Sequence, residues 1–422
     1  MKTPLAIDVL TAARNRVAYT FDHFERIYVS FSGGKDSTVM LHLMMDEAIK
    51  RNRTVGILFV DLEGQYKLTI DHILAMRELY KENTEWYWCC LPIALRNAVS
   101  VYQPKWQCWD PSQESIWIRR APEGAVVDQK FFPFFRRDME FEDFVPQFGE
   151  WYSQGIPTAC CVGIRADESL NRYRTVKNEK KVTHGGNMWT TLVYQTHVYN
   201  VYPIYDWRTR DIWIYTGKEQ KPNNKLYDLM SKAGLTIHQQ RICQPYGDDQ
   251  RKGLWLFHII EPETWSKVVA RVAGANSGAE FVQYRGNVSG YNQVSKPDAI
   301  TWERFAEILL SSMPEKIKEH YSNKIYVFLE WYRKNGWKDE KGIRRFDCPD
   351  EISIKMESGK EAPSWRRICK MLLRNDYWAK GLSFSQTKDG FFYKRYMERV
   401  KKDRESRKRE NLRNAGNWRG FI

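Results

Sequence analysis

The sequence predicts an α/β fold, a parallel sheet with helices on both faces, followed by a mainly helical C-terminal region. Three observations predict it. Ile27 to Phe31 is a short apolar run of the kind buried on both sides of a sheet, and a glycine-rich loop joins it to a stretch with helical periodicity. Val55 to Val60 is a second such run, and a strand–helix–strand of this length implies a parallel pair with a right-handed crossover. Residues 253 to 380 read mainly as helices, with Trp265, Trp302, Trp331, Trp337 and Trp365 at core-like positions.

The 422 residues exceed one typical domain, so two or three units are expected. Hydrophobic content of 42% and charged content of 28% are those of an ordinary globular chain. No apolar run approaches membrane-spanning length, and Met1 to Asp8 lacks a basic-then-apolar leader, so a cytoplasmic protein without a membrane partner is expected. The net charge of +14 suits polyanionic partners, whether nucleotide, nucleic acid or acidic protein; simple solubility accounts for it equally well. Eight cysteines in so long a chain do not make a disulfide framework.

Residues 5 to 24 read as an amphipathic helix that leads into the first strand. The loop Ser32-Gly33-Gly34-Lys35-Asp36-Ser37 follows. Val39, Met40, Leu43, Met44 and Ala48 then repeat at helical spacing. A strand running through such a loop into a helix brings free N–H groups and the positive end of the helix dipole together, which suits a phosphate. Gly33 and Gly34 permit a tight turn, Ser32 and Ser37 add hydroxyls, and Lys35 adds charge. The commoner phosphate loop is excluded, because Val29 stands where its first glycine belongs and Asp36 follows the lysine. The plain alternative is a serine–glycine turn without a ligand.

Asp61 and Glu63 follow the second strand, and ligands sit beyond the carboxyl ends of such strands. Both acids are therefore expected beside the Ser32–Ser37 loop, with Asp61 the candidate Mg²⁺ ligand; capping of the next helix is the other reading. Leu68 to Glu82 reads as a helix and Trp86 to Leu91 as a third strand. Residues 92–158, rich in aromatics and prolines, read as an insertion covering one side of the nucleotide cleft. Further on, Gly163 and Ile164 lead into Arg165, Glu168 and Arg172, spaced i, i+3 and i+7 as on one face of a helix start. Arginine forks suit phosphate or sulfate, and ordinary exposed ion pairs are the alternative. Lys177, Lys180 and Lys181 read as a basic loop, and His184 alone is weak evidence for catalysis. The polar run from His238 to Lys252 is a candidate lid. Residues 1–236 are expected to form the nucleotide-binding domain and 237–380 the helical region. The tail 381–422 is basic, with ten Lys or Arg against four acids between Lys394 and Arg413.

The Ser-Gly-Gly-Lys-Asp-Ser loop resembles that of the PP-loop ATP pyrophosphatase superfamily, whose fold is also called adenine nucleotide alpha-hydrolase-like. Gly163-Ile164-Arg165 with Glu168, Ser169 and Arg172 is similar to the second motif of phosphoadenosine-phosphosulfate (PAPS) reductases. Tyr202 to Trp207, Asp211 to Tyr215 and Asn224 to Met230 resemble later segments of that family. The nearest resemblance is to the immunoglobulin-binding regulator A (IbrA) group, which implies a ParB-like partner and a phage-related or regulatory setting. The superfamily implies that Ser32, Gly33, Gly34, Lys35, Asp36, Ser37, Asp61, Glu63, Gly163, Arg165, Glu168 and Arg172 bind ATP or a related adenosine nucleotide with Mg²⁺. It implies that Lys35, Arg165 and Arg172 assist cleavage at the α-phosphate, so that a substrate becomes adenylylated.

True reductases carry a nucleophilic cysteine in a C-terminal Glu-Cys-Gly motif, and no cysteine follows Cys369 here. Cys243 stands alone where a second iron–sulfur pair belongs, which argues against that cluster. Cys89, Cys90 and Cys108 with Cys160 and Cys161 offer thiols for zinc, but buried free cysteines are the favoured reading. Two further functions stay open: a non-catalytic nucleotide-sensing regulator, and an enzyme of ATP-dependent nucleic-acid thiolation.

Overall fold

A computed structural model describes residues 6–100, 103, 105–242, 254–276, 296–313, 315–374, 376 and 379–384. Cys243, most of the polar run and the basic tail lie outside them. The chain divides into two compact units, residues 1–294 and 295–422. The stretch 237–294, expected to belong with the C-terminal helices, thus falls in the first unit.

The first unit is built on a six-stranded sheet in the order β3-β2-β1-β6-β8-β7. Its strands are β1 (Arg26–Ser30), β2 (Val55–Val60), β3 (Thr84–Cys89), β6 (Thr158–Val162), β7 (Thr190–Leu192) and β8 (Val198–Val201). A separate small ribbon pairs β4 (Ala94–Arg96) with β5 (Lys105–Gln107). Every pairing in the main sheet is parallel except β7 with β8. All six residues of β2 are buried, as a central parallel strand covered on both faces requires.

Helix α1 (Val9–His23) starts at Asp8, whose Oδ1 accepts from the N–H groups of Leu10 at 2.9 Å and Thr11 at 3.0 Å. It packs on α2 (Lys35–Lys50). α3 (Lys67–Leu79) crosses from β2 to β3. α4 (Phe141–Ser153) lies on the sheet face that shows Tyr28 and Gly56. Tyr152 fills the space a side chain at residue 56 would need and donates to the Ile27 carbonyl at 3.1 Å. Phe132, Phe144, Phe148 and Trp151 extend this contact as a cluster of stacked and edge-on rings. Each such ring pair is worth about 1 kcal/mol beyond the area it buries.

The later elements are α5 (Leu170–Lys177), α6 (Thr209–Lys218), α7 (Leu226–Lys232), α8 (Leu254–Ile260) and α9 (Pro262–Arg271). α5 starts five residues later than the sequence spacing suggests. Ser169 takes an extended conformation and caps the Arg172 N–H at 3.3 Å, so Arg165 and Glu168 precede the helix instead of riding on it.

The second unit holds helices Trp302–Ser311, Glu315–Asn335, Ile354–Gly359 and Trp365–Leu373. Trp302 and Trp337 are buried as expected, as is Trp265 in the first unit; Trp365 is only half-buried, and Trp331, 55% exposed, is not a core residue. Among the described residues no helix is long and apolar enough to cross a membrane.

Candidate functional site

Chain direction across the sheet reverses between β1 and β6: β1 continues to β2 on one side, and β6 is laid down on the other. The loops leaving these two strands therefore flank a crevice at the sheet's carboxyl edge, where α/β folds bind ligands. One loop is Ser32–Ser37, and the other runs from Gly163 to Ser169.

The first loop turns through Gly33 at φ +71°, a conformation that side chains resist. A Cβ there would also come within 2.9 Å of Thr69 Cγ2. Ser32 and Ser37 hold the turn, with their hydroxyls 2.9 Å apart, and the Ser37 hydroxyl accepts from the Ser32 N–H at 3.3 Å. Gly34 is the N-cap of α2 and offers no side chain to the first amides of the helix. Gly163 lets the second loop approach, for a Cβ there would sit 2.9 Å from the Ser37 nitrogen.

Arg165 closes the crevice. Its side chain is 2% exposed, and its Nε donates to Asp36 Oδ1 at 2.7 Å. Its Nη1 is buried with no hydrogen-bond partner among the described residues and lies 3.8 Å from Asp167 Oδ2. Lys35 Nζ sits 3.3 Å from Asp36 Oδ2. Asp36 thus ties the two cations together at the mouth of the loop. Arg172, in contrast, pairs with Glu168, is 40% exposed, and shows no contact to the loop. Lys181 is likewise engaged by its own loop, donating to the Val176 and Met188 carbonyls at 2.6 Å. His184 accepts or donates at the Tyr19 hydroxyl, 2.9 Å away, within a cluster of rings.

Residues that sequence reasoning passed over complete the site. Asn224 donates to the Gly33 carbonyl at 3.0 Å and to Thr69 Oγ1 at 3.0 Å. The Tyr227 hydroxyl accepts from the Lys35 N–H at 2.9 Å. Both lie in the Asn224–Met230 segment that carries the family resemblance, so the signal was present without a role attached.

Asp61 and Glu63 do not serve the loop. Asp61 is fully buried, with Oδ2 accepting from Trp88 Nε1 at 2.7 Å. Its Oδ1 accepts from the Glu63 N–H at 2.9 Å and from Arg119. Glu63, also fully buried, accepts from the N–H groups of Trp109 at 2.7 Å and Ile118 at 3.1 Å. Arg271 grips it through Nε at 3.1 Å and Nη2 at 3.3 Å. Four donors fill Glu63, and three donors, one of them the Arg119 guanidinium, already hold and neutralise the buried Asp61, so these residues do not fit Mg²⁺. They anchor the 92–158 insertion and α9 to the sheet edge. No cluster of three or more His, Cys, Asp or Glu with metal-binding geometry occurs among the described residues.

The cysteines do not converge. Cys89 ends β3 and Cys160 and Cys161 lie in β6, with β2 and β1 between. Three strand spacings separate them, about 14 Å, too far to share one ion. Burial pushes the Cys160 thiol up to about 12 and raises those of Cys89, Cys90, Cys108 and Cys161 as well. These are protonated, inert thiols at neutral pH.

The matching family models divide the chain in two, as its folding does, though at residue 234 rather than 295. Residues 26–95 and 149–233 match the family model described as the phosphoadenosine phosphosulfate reductase domain, which skips most of the insertion. Residues 234–346 and 337–391 match a domain of unknown function, DUF3440. The chain is 43% identical over 406 residues to the "Uncharacterized protein YbdN" of Escherichia coli (strain K12), covering 96% of this chain and 97% of the relative. Among solved structures it is similar to a PAPS reductase from Candida auris, at 11% identity and TM-score 0.28, covering 54% of this chain and 94% of that one. It is also similar to an FMN adenylyltransferase from Candida glabrata, at 14% identity and TM-score 0.32, covering 52% and 58%.

Proposed function

We propose that this chain, which belongs to the family of the Escherichia coli protein YbdN, binds an adenosine nucleotide at the Ser32–Ser37 loop and acts at its α-phosphate. One observation carries the reading: Arg165 is buried against Asp36 at the loop and keeps Nη1 without a hydrogen-bond partner among the described residues. A buried guanidinium N–H without an acceptor is costly, and a phosphate oxygen is the acceptor its fork suits. On this reading the loop amides hold the β- and γ-phosphates, while Lys35 and Arg165 offset charge building on the departing pyrophosphate. An acceptor substrate attacks the α-phosphate and is adenylylated. No step is drawn through Mg²⁺, because Asp61 and Glu63 do not fit it. Arg172 takes part only after leaving Glu168.

The test is incubation of the full chain with ATP labelled at the α- or γ-phosphate, with products identified. Pyrophosphate release is expected, and unchanged turnover after combined Lys35→Ala and Arg165→Ala substitution rejects the assignment. A sensing role without turnover is the second reading, favoured by the Lys35 N–H being engaged by the protein's own Tyr227. Stable nucleotide binding with no product after long incubation selects it. An IbrA-type setting with a ParB-like partner rests on resemblance, and co-purification on co-expression tests it.

A further inference from the structure

Both groups of Lys35 that a phosphate would use are already spoken for. The backbone N–H donates to the Tyr227 hydroxyl at 2.9 Å, and Nζ reaches the Gln240 carbonyl at 3.4 Å. Lys35 is consequently 8% exposed, at the first position of α2. The chain segment that supplies these contacts is held in place by further polar ties. His42 Nε2 lies 2.8 Å from the Pro222 carbonyl and its Nδ1 2.6 Å from the Tyr80 hydroxyl, so the proton on Nε2 is donated to Pro222. Asn224 grips the Gly33 carbonyl, and the Gln240 side chain donates to the Leu235 carbonyl at 3.0 Å, closing the turn that carries its own carbonyl over Lys35. Gln240 is 3% exposed.

The Tyr227 hydroxyl stands where an anion oxygen would stand. It is an acceptor at the first free amide of a helix that follows a glycine turn, the position a phosphate oxygen occupies in such loops. Its ring also faces the lysine, with Nζ 5.5 Å from the centroid, and packs edge-on against Trp213 at 5.4 Å.

We infer that Tyr227 is an internal competitor for the phosphate seat: its hydroxyl caps the Lys35 amide in the free protein, and the nucleotide phosphate displaces it on binding. The inference rests on the nucleotide reading above and adds how that site is regulated. Occupation by a neutral hydroxyl keeps the amide satisfied, holds the loop in its bound shape, and sets a threshold that a weakly charged anion does not cross. A phosphate crosses it because a charged acceptor makes the stronger bond to an N–H.

Tyr227→Phe removes the oxygen and keeps the ring on Trp213 and Lys35. Titrating the full-length protein with ATP and, separately, with inorganic pyrophosphate by calorimetry measures the effect. The variant is expected to bind both about three- to tenfold more tightly than the wild type, the size of one net hydrogen bond. Hydrogen exchange of the segment containing Lys35 is a second readout; the wild-type amide is expected to exchange slowly and the variant's faster, with the rest of α2 unchanged. Gln240→Ala, which frees the turn over Nζ, is expected to shift affinity the same way by a smaller factor. Wild-type binding that Tyr227→Phe leaves unchanged or weakens overturns the inference alone. No binding of either probe to either protein overturns the nucleotide reading with it.

Discussion

Two loops leave adjacent parallel strands at the same edge of one sheet and use their polar groups in opposite ways. The loop after β1 spends its hydroxyls holding a shape, and Arg165, reaching it from the loop after β6, keeps a buried Nη1 with no hydrogen-bond acceptor among the described residues. The loop after β2 spends its two carboxylates on internal donors, with every oxygen taken. On the proposed reading the first receives a ligand; the second is already fully bonded. The lesson is that carboxylates next to such a glycine loop in sequence are not thereby metal ligands, because an insertion and a later helix can each bring an arginine to meet them.

The contrast can be broken most severely at Arg271, which with Glu63 forms a pair at 2% and 0% exposure. Arg271→Ala leaves a buried carboxylate with only backbone donors, and urea unfolding is expected to show a loss of about 3–5 kcal/mol. A loss under 1 kcal/mol would show that the second loop is not the anchor described here.

Acid probes the first loop from behind. His72 Nε2 meets Thr38 Oγ1 in the first turn of α2 at 2.9 Å, and burial lowers its pKa to about 4. Burial lowers that of His42 too. The fold favours the neutral rings, so at pH 7 their depressed pKa values cost nothing. As pH falls below about 6.5 the unfolded chain takes up protons first, and stability declines until about pH 4, where the folded His72 protonates as well. The loss from His72 alone is at most about 3 kcal/mol. His72→Gln is expected to flatten that part of the pH–stability profile, measured by denaturant midpoints at fixed pH; an unaltered slope would assign the decline elsewhere.

A smaller effect is expected at Gly163→Ala. The added methyl falls 2.9 Å from the Ser37 nitrogen, a backbone atom that cannot swing aside. Destabilisation of about 1–3 kcal/mol should accompany weakened ATP binding. The least stability change is expected for Lys35→Ala, about 1–2 kcal/mol, since Lys35 is buried but Asp36 keeps Arg165 as its second partner. Its ATP affinity should nevertheless fall tenfold or more. Equal losses of stability and affinity would erase the distinction between a receiving loop and a structural one.

Much of the framework was legible in the chain. β2 spans Val55–Val60 as read, and β1 is shifted by one residue from the apolar run at Ile27 to Phe31. Both are continuous apolar runs bounded by polar turns, a pattern that buried parallel strands share with few alternatives. The glycine loop was legible for the same reason: Gly33 at positive φ is a local demand, answered by local sequence. Arg165 was legible as a residue but not as a position, because the spacing to Arg172 suggested a shared helical face. The Ser169 cap, a stronger local signal than that spacing, starts the helix later and separates the two.

What the sequence determined alone was whatever depends on neighbours along the chain: the strand–loop–helix unit, the crossover to a parallel strand, and the caps that end helices. Tertiary structure decided which polar groups were left over. Asp61, Glu63, Tyr227 and Arg271 find distant partners between 27 and 208 positions away in the chain. A hydrogen bond between such residues leaves no periodicity in the sequence. Only folding shows whether a buried acid is a ligand in waiting or already fully bonded.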